Sequence, residues 1–441
     1  MKTIRTSGRS AKQSAEILAS LEQRGGAALD AVLPAVKRIV SNVRKKGDRA
    51  LLRYAAQLDG LQGAVSLRVT QLEMAAAYET IDPALRKALS TSARQIRLFA
   101  RRQLPASWSA SPIAGLTTGQ LVRPLGSVGC YVPSGRHPLP STLLMTAIPA
   151  QVAGVKRIVV VSPKPAPETL AAAHLLGITE FYRLGGAHAV AALSYGTASL
   201  QRVDKIVGPG NLYVTAAKRL VAFDCAIDML AGPTEIVVTS ERGNAADIAS
   251  DLVAQAEHDP EALAIFITTR ANLATEVIRE VKERSSNNPI ARLSLDRNGL
   301  VIIASTVDEA RQITNRLAAE HLTVDAPSDL EWVRNAGSVF VGRWSAQPMG
   351  DYISGPNHTL PTGGMARVRG GLSVNDFVKL ITVQEYTAQA VRSLGPPAVL
   401  LAEAEGLVGH AESIRTRLAP AVRQKRLAPQ KAQGTARRSH A

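Results

Sequence analysis

Two cysteines in 441 residues, Cys130 and Cys225, argue against a disulfide framework and fit a chain kept in a reducing compartment. Aromatic residues are also scarce, at 4% of the chain, so its cores must be aliphatic. The 46% of hydrophobic residues is ample for large cores and sets the sequence apart from disordered chains. No apolar run approaches the ~20 residues that span a bilayer. The opening MKTIRTSGRSAKQ has no apolar centre of the kind a secretory signal carries, so the chain is read as cytoplasmic, without a membrane partner. G-x-G-x-x-G, Walker A, H-E-x-x-H and paired C-x-x-C motifs are all missing. That removes the commonest sequence marks of a dinucleotide cradle, a P-loop, a zinc protease and a thiolate zinc site.

Acids are outnumbered, 36 against 52 Lys and Arg, for a net charge of +16. Such a surplus invites a nucleic-acid reading, but its distribution weakens it. From Arg415 to Ala441 there are eight Lys and Arg and no acid, so half of the surplus sits in that terminal stretch. Residues 419–441 read as a basic disordered tail, and no specific nucleic-acid partner is expected.

What the chain does have is alternation. Apolar runs such as RIVVVSP, TEIVVTS, LAIFITT and GLVIIAS are bounded by helical patterns. Strands alternating with crossover helices imply α/β architecture: two doubly wound, Rossmann-like globules with mostly parallel sheets, plus helical N- and C-terminal extensions. The boundaries expected are an N-terminal helical extension over 1–25 and a discontinuous first globule from 26–125 and 234–375, carrying a metal site. A second, cofactor-binding globule covers 126–233, and a C-terminal helical extension runs from 376 to 418.

Chemistry-bearing residues gather in a few places. The segment from Met349 to Gly364, MGDYISGPNHTLPTGG, combines Asp351 and His358 with glycines and prolines and reads as a loop. Gln255 and His258 stand three apart at the end of a helix that Asn244 can cap, so they share a face and can share a metal. Glu320-His321 is an adjacent acid–imidazole pair where a helix meets a strand; adjacent side chains diverge, which suits two separate roles. His258 and His321 both precede buried strands, which would place them at one end of a sheet. Glu405 and His410 lie five apart near the C-terminus. Two imidazoles, a carboxylate and an amide make a mixed nitrogen–oxygen donor set, best suited to zinc. A polar helix end, a solvated face or a tight turn accounts for each motif equally well when taken singly. Gly208-Pro209-Gly210-Asn211 and Gly185-Gly186 both lead from a strand into a helix, a placement that suits phosphate or a simple turn. Cys130 has no local base to activate it and is read as inert.

Taken in order, GCYVPSGRHPLPSTLLMTAIPAQVAGV, KIVGPGNLYVTAAKRLV, IDMLAGPTEIVV, AQAEHD, AAEHL, GDYISGPNHTLPTGG, GLSVNDF and EAEGLVGHA resemble histidinol dehydrogenase, over about residues 30–415. The resemblance implies oxidation of L-histidinol through L-histidinal to L-histidine, with NAD and one zinc ion per subunit. It implies Gln255, His258, Asp351 and His410 as zinc ligands and Glu320 and His321 as the acid–base pair. Substrate contacts would be Thr234, His358 and Glu405 together with the ligands and His321; cofactor contacts would be Tyr131, His188 and Asn211. It also implies a homodimer with shared sites, Glu405 and His410 serving the partner's. Where the family usually has Gln, this chain has His188, in the cofactor region; Thr234 stands where many members have Ser. The competing readings are a relative that keeps the zinc and NAD but oxidises another primary alcohol, such as a sulfonated propanediol, and a basic RNA-binding or scaffold protein that has lost catalysis.

Overall fold

A computed structural model describes residues 1–24, 29–61, 66–134 and 138–419. The expected tail lies outside these residues from position 420, as do His137 and His440. The chain divides into two compact units, residues 1–105 with 123–379, and residues 106–122 with the chain from 380 onward.

The larger unit holds two six-stranded sheets. One runs in the order Lys2–Arg5, Leu300–Ile303, Leu263–Thr268, Glu235–Thr239, His321–Val324, Ser338–Val341, with every pairing parallel. The other runs Arg68–Val69, Glu180–Tyr182, Arg157–Val161, Ser127–Tyr131, Lys205–Val207, Ala226–Ile227, and only its first pairing is antiparallel. In both, the first strand of a βαβ series lies inside the sheet. The next two strands build outward on one side and the last two on the other, as in doubly wound folds. Helices cover both faces, so the strands are apolar on both sides. In Glu235–Thr239, Ile236 and Val238 pack into one core while Val237 packs into the opposite one. Val128 and Cys130 likewise face one core of the second sheet and Tyr131 the other.

The helices follow their caps. Pro83–Gln103 starts with Pro at its first turn, Asp82 accepts from the Ala84 N–H, and Leu89, Ala93, Ile96 and Ala100 bury one stripe. Ala245–Ala256 is capped by Asn244, which accepts from Ala246 and Asp247, and this fixes the register that brings Gln255 to the core side.

Three expectations change. Residues 1–25 are no detached extension, because Lys2–Arg5 is an edge strand of the first sheet. Residues 29–103 are expected in the first globule, yet Leu29–Lys46 packs its Val36, Val40 and Val43 into the core of the second sheet, to which Arg68–Val69 also belongs. The apolar stripe decides the partner, and sequence order does not. The stretch 376–418 begins as a strand, Val378–Tyr386, which joins Leu116–Pro124 and Trp108–Ile113 in a three-stranded sheet. Ala388–Ala404 and Val408–Leu418 follow as helices around a small core of Val399, Ala402 and Ala411. No helix among the described residues is long and apolar enough to cross a membrane.

One buried ion pair ties the second sheet together. Lys218 donates to Asp228 Oδ1 at 2.7 Å, with side chains only 4% and 1% exposed, and Asp228 also accepts from the Gly208 and Met229 N–H groups. Gly208 is required where it stands: its φ is +112°, and a Cβ there would meet the Tyr131 carbonyl oxygen at 2.1 Å. Replacing Asp228 by Ala strands a buried ammonium, so unfolding by denaturant should show a loss of about 3–5 kcal/mol. Removing the exposed Arg279, paired with Glu283, should cost no more than about 1 kcal/mol.

Candidate active site

Glu320 and His321 sit where the helix Val307–Leu317 returns to the sheet, at the amino end of the strand His321–Val324. His321 pairs in register with Ile236, which places Glu320 beside Glu235 on the neighbouring strand. The site is therefore at the amino ends of parallel strands, in agreement with the positions of its residues before strands in the sequence. His258 lies in the turn before Leu263–Thr268, at the same end.

The backbone of Glu235 holds both members of the pair. Its N–H donates to Glu320 Oε2 at 2.8 Å, and its carbonyl accepts from His321 Nδ1 at 3.2 Å. A carbonyl only accepts, so the His321 proton is on Nδ1 and Nε2 carries the free lone pair. Burial pushes the His321 imidazole down to about 4, keeping it neutral, despite the opposing pull of Asp351. Burial pushes the Glu320 carboxyl up to about 8, against the bonds from Thr234 and Glu235, with the Glu235 and Asp351 charges adding to the rise. An acid and a base are thus driven in opposite directions side by side, a pattern of functional sites.

A chain of donors leads into Glu320. Gln255 Nε2 donates to Thr234 Oγ1, and Thr234 Oγ1 donates to Glu320 Oε2 at 2.5 Å. With its nitrogen spent, the Gln255 Oε1 is buried and has no partner. Behind the strand, Glu235 is locked by Arg24, whose Nε and Nη2 reach its two carboxylate oxygens at 2.6 and 2.7 Å, and by the Gly363 N–H at 3.0 Å.

Asp351 is not in a loop. It lies in the short helix Gln347–Tyr352, which Pro348 at its start favours, and only the part after Ile353 is irregular. Asp351 Oδ1 stands 3.8 Å from His321 Nε2. His358 donates from Nδ1 to the Asp351 carbonyl at 2.9 Å, and its Nε2 is 3.5 Å from Thr142 Oγ1. Burial holds His358 below the usual imidazole range. His258 follows Gln255 by three residues, its backbone N–H donating to the Gln255 carbonyl at 3.4 Å, and it is exposed. A cleft of about 370 Å³ is lined by His321, Phe340, Trp344, Met349, Asp351 and His358.

Gln255, Thr234, Glu320, His321, Asp351 and His358 are thus brought together, with His258 close in the chain to Gln255. Glu405 and His410 are exposed and belong to the smaller unit. Among the described residues no three His, Cys, Asp or Glu side chains close on a common metal position. The donor types, an orphaned buried amide oxygen on Gln255, the Asp351 carboxylate and the His258 imidazole, are of the kind a divalent ion takes.

In the second sheet, Tyr131 ends one strand and Asn211 follows the neighbouring parallel strand Lys205–Val207, so both lie at the carboxyl ends where the strand order reverses. That crevice is where open α/β sheets bind ligands. Asn211 caps Leu212–Val221 through the Tyr213 and Val214 N–H groups. The Tyr131 hydroxyl accepts from the Gly186 N–H at 3.0 Å. His188 is fully buried, its Nε2 2.7 Å from Asp59 Oδ2, which also accepts from the Gly185 N–H. Cys130 is fully buried and pushed up to about 12 by that burial, so the thiol is inert as expected.

Sequence reading misses Glu235, Gln347 and Asp59. Glu235 leaves one trace, an acid inside an otherwise apolar strand; the others leave none.

The histidinol dehydrogenase family model matches residues 22–418. The chain is 44% identical over 414 residues to a histidinol dehydrogenase of Methanothermobacter thermautotrophicus, covering 91% of this chain and 97% of that one. It is 45% identical over 396 residues to that of Geobacillus kaustophilus, covering 87% and 93%. The fold matches a crystal structure of histidinol dehydrogenase from Elizabethkingia anophelis with a TM-score of 0.88 at 32% identity, over 95% of this chain and 98% of that one.

The relay through Thr234 makes a stability prediction. Thr234→Val leaves the Gln255 amide and the Glu320 carboxyl each short of a partner, and metal-free protein should lose about 1–3 kcal/mol in denaturant unfolding. Thr234→Ser restores the hydroxyl and should recover most of that loss.

Proposed function

The chain belongs to the histidinol dehydrogenase family, and on that premise we propose how its residues divide the reaction. It is an oxidoreductase of histidine biosynthesis that converts L-histidinol to L-histidine through L-histidinal. The observation that carries the site assignment is the neutral His321, its Nδ1 tied to a carbonyl and its Nε2 free.

Gln255 through Oε1, His258 and Asp351 would hold one zinc ion, with His410 of a second copy as the fourth ligand. When bound, zinc supplies a Lewis acid for the amine and imidazole of the substrate, and NAD supplies the hydride acceptor. His321 Nε2 takes the hydroxyl proton in the first oxidation. The ionised form of Glu320, made more basic by burial, takes a proton from the water that adds to the aldehyde in the second. The Thr234 hydroxyl keeps Glu320 aimed, and His358 and Glu405 contact the substrate. Tyr131 and Asn211 line the cofactor crevice. His188, turned inward to Asp59, serves it through the Gly185–Gly186 turn.

A homodimer is supported by the smaller unit. Every residue from Lys379 to Tyr386 is exposed in the single chain, including Leu380 at 54% and Tyr386 at 47%, and Leu400 and Leu401 are both 67% exposed. Apolar surface of that extent marks an interface. Glu405 and His410 belong to that unit, and in a homodimer they would serve the second copy's site.

Purified protein should form two NADH for each L-histidinol consumed, and removal of the metal by a chelator should abolish this. A protein that leaves histidinol untouched but turns over a sulfonated propanediol would sink the substrate assignment. In the same assay His321→Ala should lose the first oxidation by about 100-fold or more. Glu320→Gln should chiefly slow conversion of added L-histidinal; equal losses in both steps for both variants would refute the division.

A further inference from the structure

Gln347 opens the short helix that carries Asp351, and it is fully buried. Its Nε2 donates to Asp351 Oδ2 at 3.1 Å, one turn further on. A carboxylate only accepts, so the amide nitrogen must face it and Oε1 must point away. That Oε1 is buried and unpartnered. The backbone N–H of Gln347 donates to the Asp251 carboxyl, on the same helix as Gln255. The residue is therefore held at its backbone by one acid while its side chain engages another.

A buried amide with an unanswered oxygen is unfavourable compared with an apolar side chain of the same length. Its effect on Asp351 is positional. With Oδ2 occupied, the carboxylate has Oδ1 left, and that oxygen is the one 3.8 Å from His321 Nε2. Freed of the amide, the carboxylate can rotate and offer both oxygens to an ion.

We propose that Gln347 is a positioning residue for the metal: its amide engages Asp351 Oδ2 and so keeps Asp351 a one-oxygen ligand through Oδ1. The proposal rests on Asp351 being a metal ligand, as set out above. Hydrogen bonds to ligating carboxylates govern metal affinity in this way generally.

The decisive variant is Gln347→Met, close in volume and lacking the donor. Zinc affinity would be measured by chelator competition, the visible spectrum on cobalt-loaded protein, and the melting temperature on metal-stripped protein. Zinc binding should weaken about 10–100-fold. The cobalt bands should change as the carboxylate's mode of binding changes, while the metal-free melting temperature stays level or rises. Unchanged zinc affinity and cobalt spectrum would overturn the proposal. So would a lower metal-free melting temperature, which would mark a structural role. Asp351→Ala separates the layers. If it loses metal while Gln347→Met binds like the parent, only the positioning role fails. If the parent binds no metal, or Asp351→Ala binds like the parent, the ligand assignment fails and the proposal with it.

Discussion

The two peptide groups of Glu235 are the constraint on which the site depends. One N–H fixes the carboxyl of Glu320 and one C=O fixes the imidazole of His321, so the spacing of acid and base is set by a rigid strand. The strand in turn is set by parallel pairing on both sides, with Leu263–Thr268 and with His321–Val324. A slip of one residue would turn every side chain to the opposite face. Arg24 secures the start of that strand from the far side of the sequence, so residues near the N-terminus take part in the site without touching it.

Two sheets of one strand order carry their candidate residues at opposite ends. In the second sheet the residues assigned to the cofactor lie at the carboxyl ends of the central strands, where helix amino termini and a switch in strand order make an inviting crevice. In the first sheet Glu320 and His321 lie at the amino ends, where strands begin and helix carboxyl termini arrive. That environment gives burial, which drives Glu320 and His321 toward their neutral forms and leaves fixed dipoles and nearby carboxylates to orient them.

Much of the fold is legible because its strands are buried on both faces and read as continuous apolar runs: RIVVV, EIVVT and LAIFIT stand where the sequence places them. The helix Pro83–Gln103 is legible from its cap and stripe. Partnership is not. Lys2–Arg5 is too short to show a period, and Val378–Tyr386 finds its neighbour in Leu116–Pro124, far upstream. The segment around Asp351 reads as a loop because its glycines and prolines outweigh the single turn that Pro348 starts. Of the site, the side chains with metal or proton chemistry can be picked out by type and by resemblance. Gln347 and Asp59 cannot, since a buried amide or acid that bonds one neighbour leaves no spacing in the sequence. Their roles exist only in three dimensions.

The three-stranded sheet of the smaller unit has a consequence for synthesis. The hairpin Trp108–Ile113 with Leu116–Pro124 leaves the ribosome about 250 residues before the strand that completes it. At typical translation rates of about 5–20 residues per second, its open edge waits for roughly 10–50 s. An unpaired edge is a template for wrong partners. Thr117, Thr118 and Gln120 make the waiting strand polar, and on the hairpin's other strand Pro112 is a residue that cannot donate to a further neighbour. Its composition suits a segment that has to remain soluble while it waits.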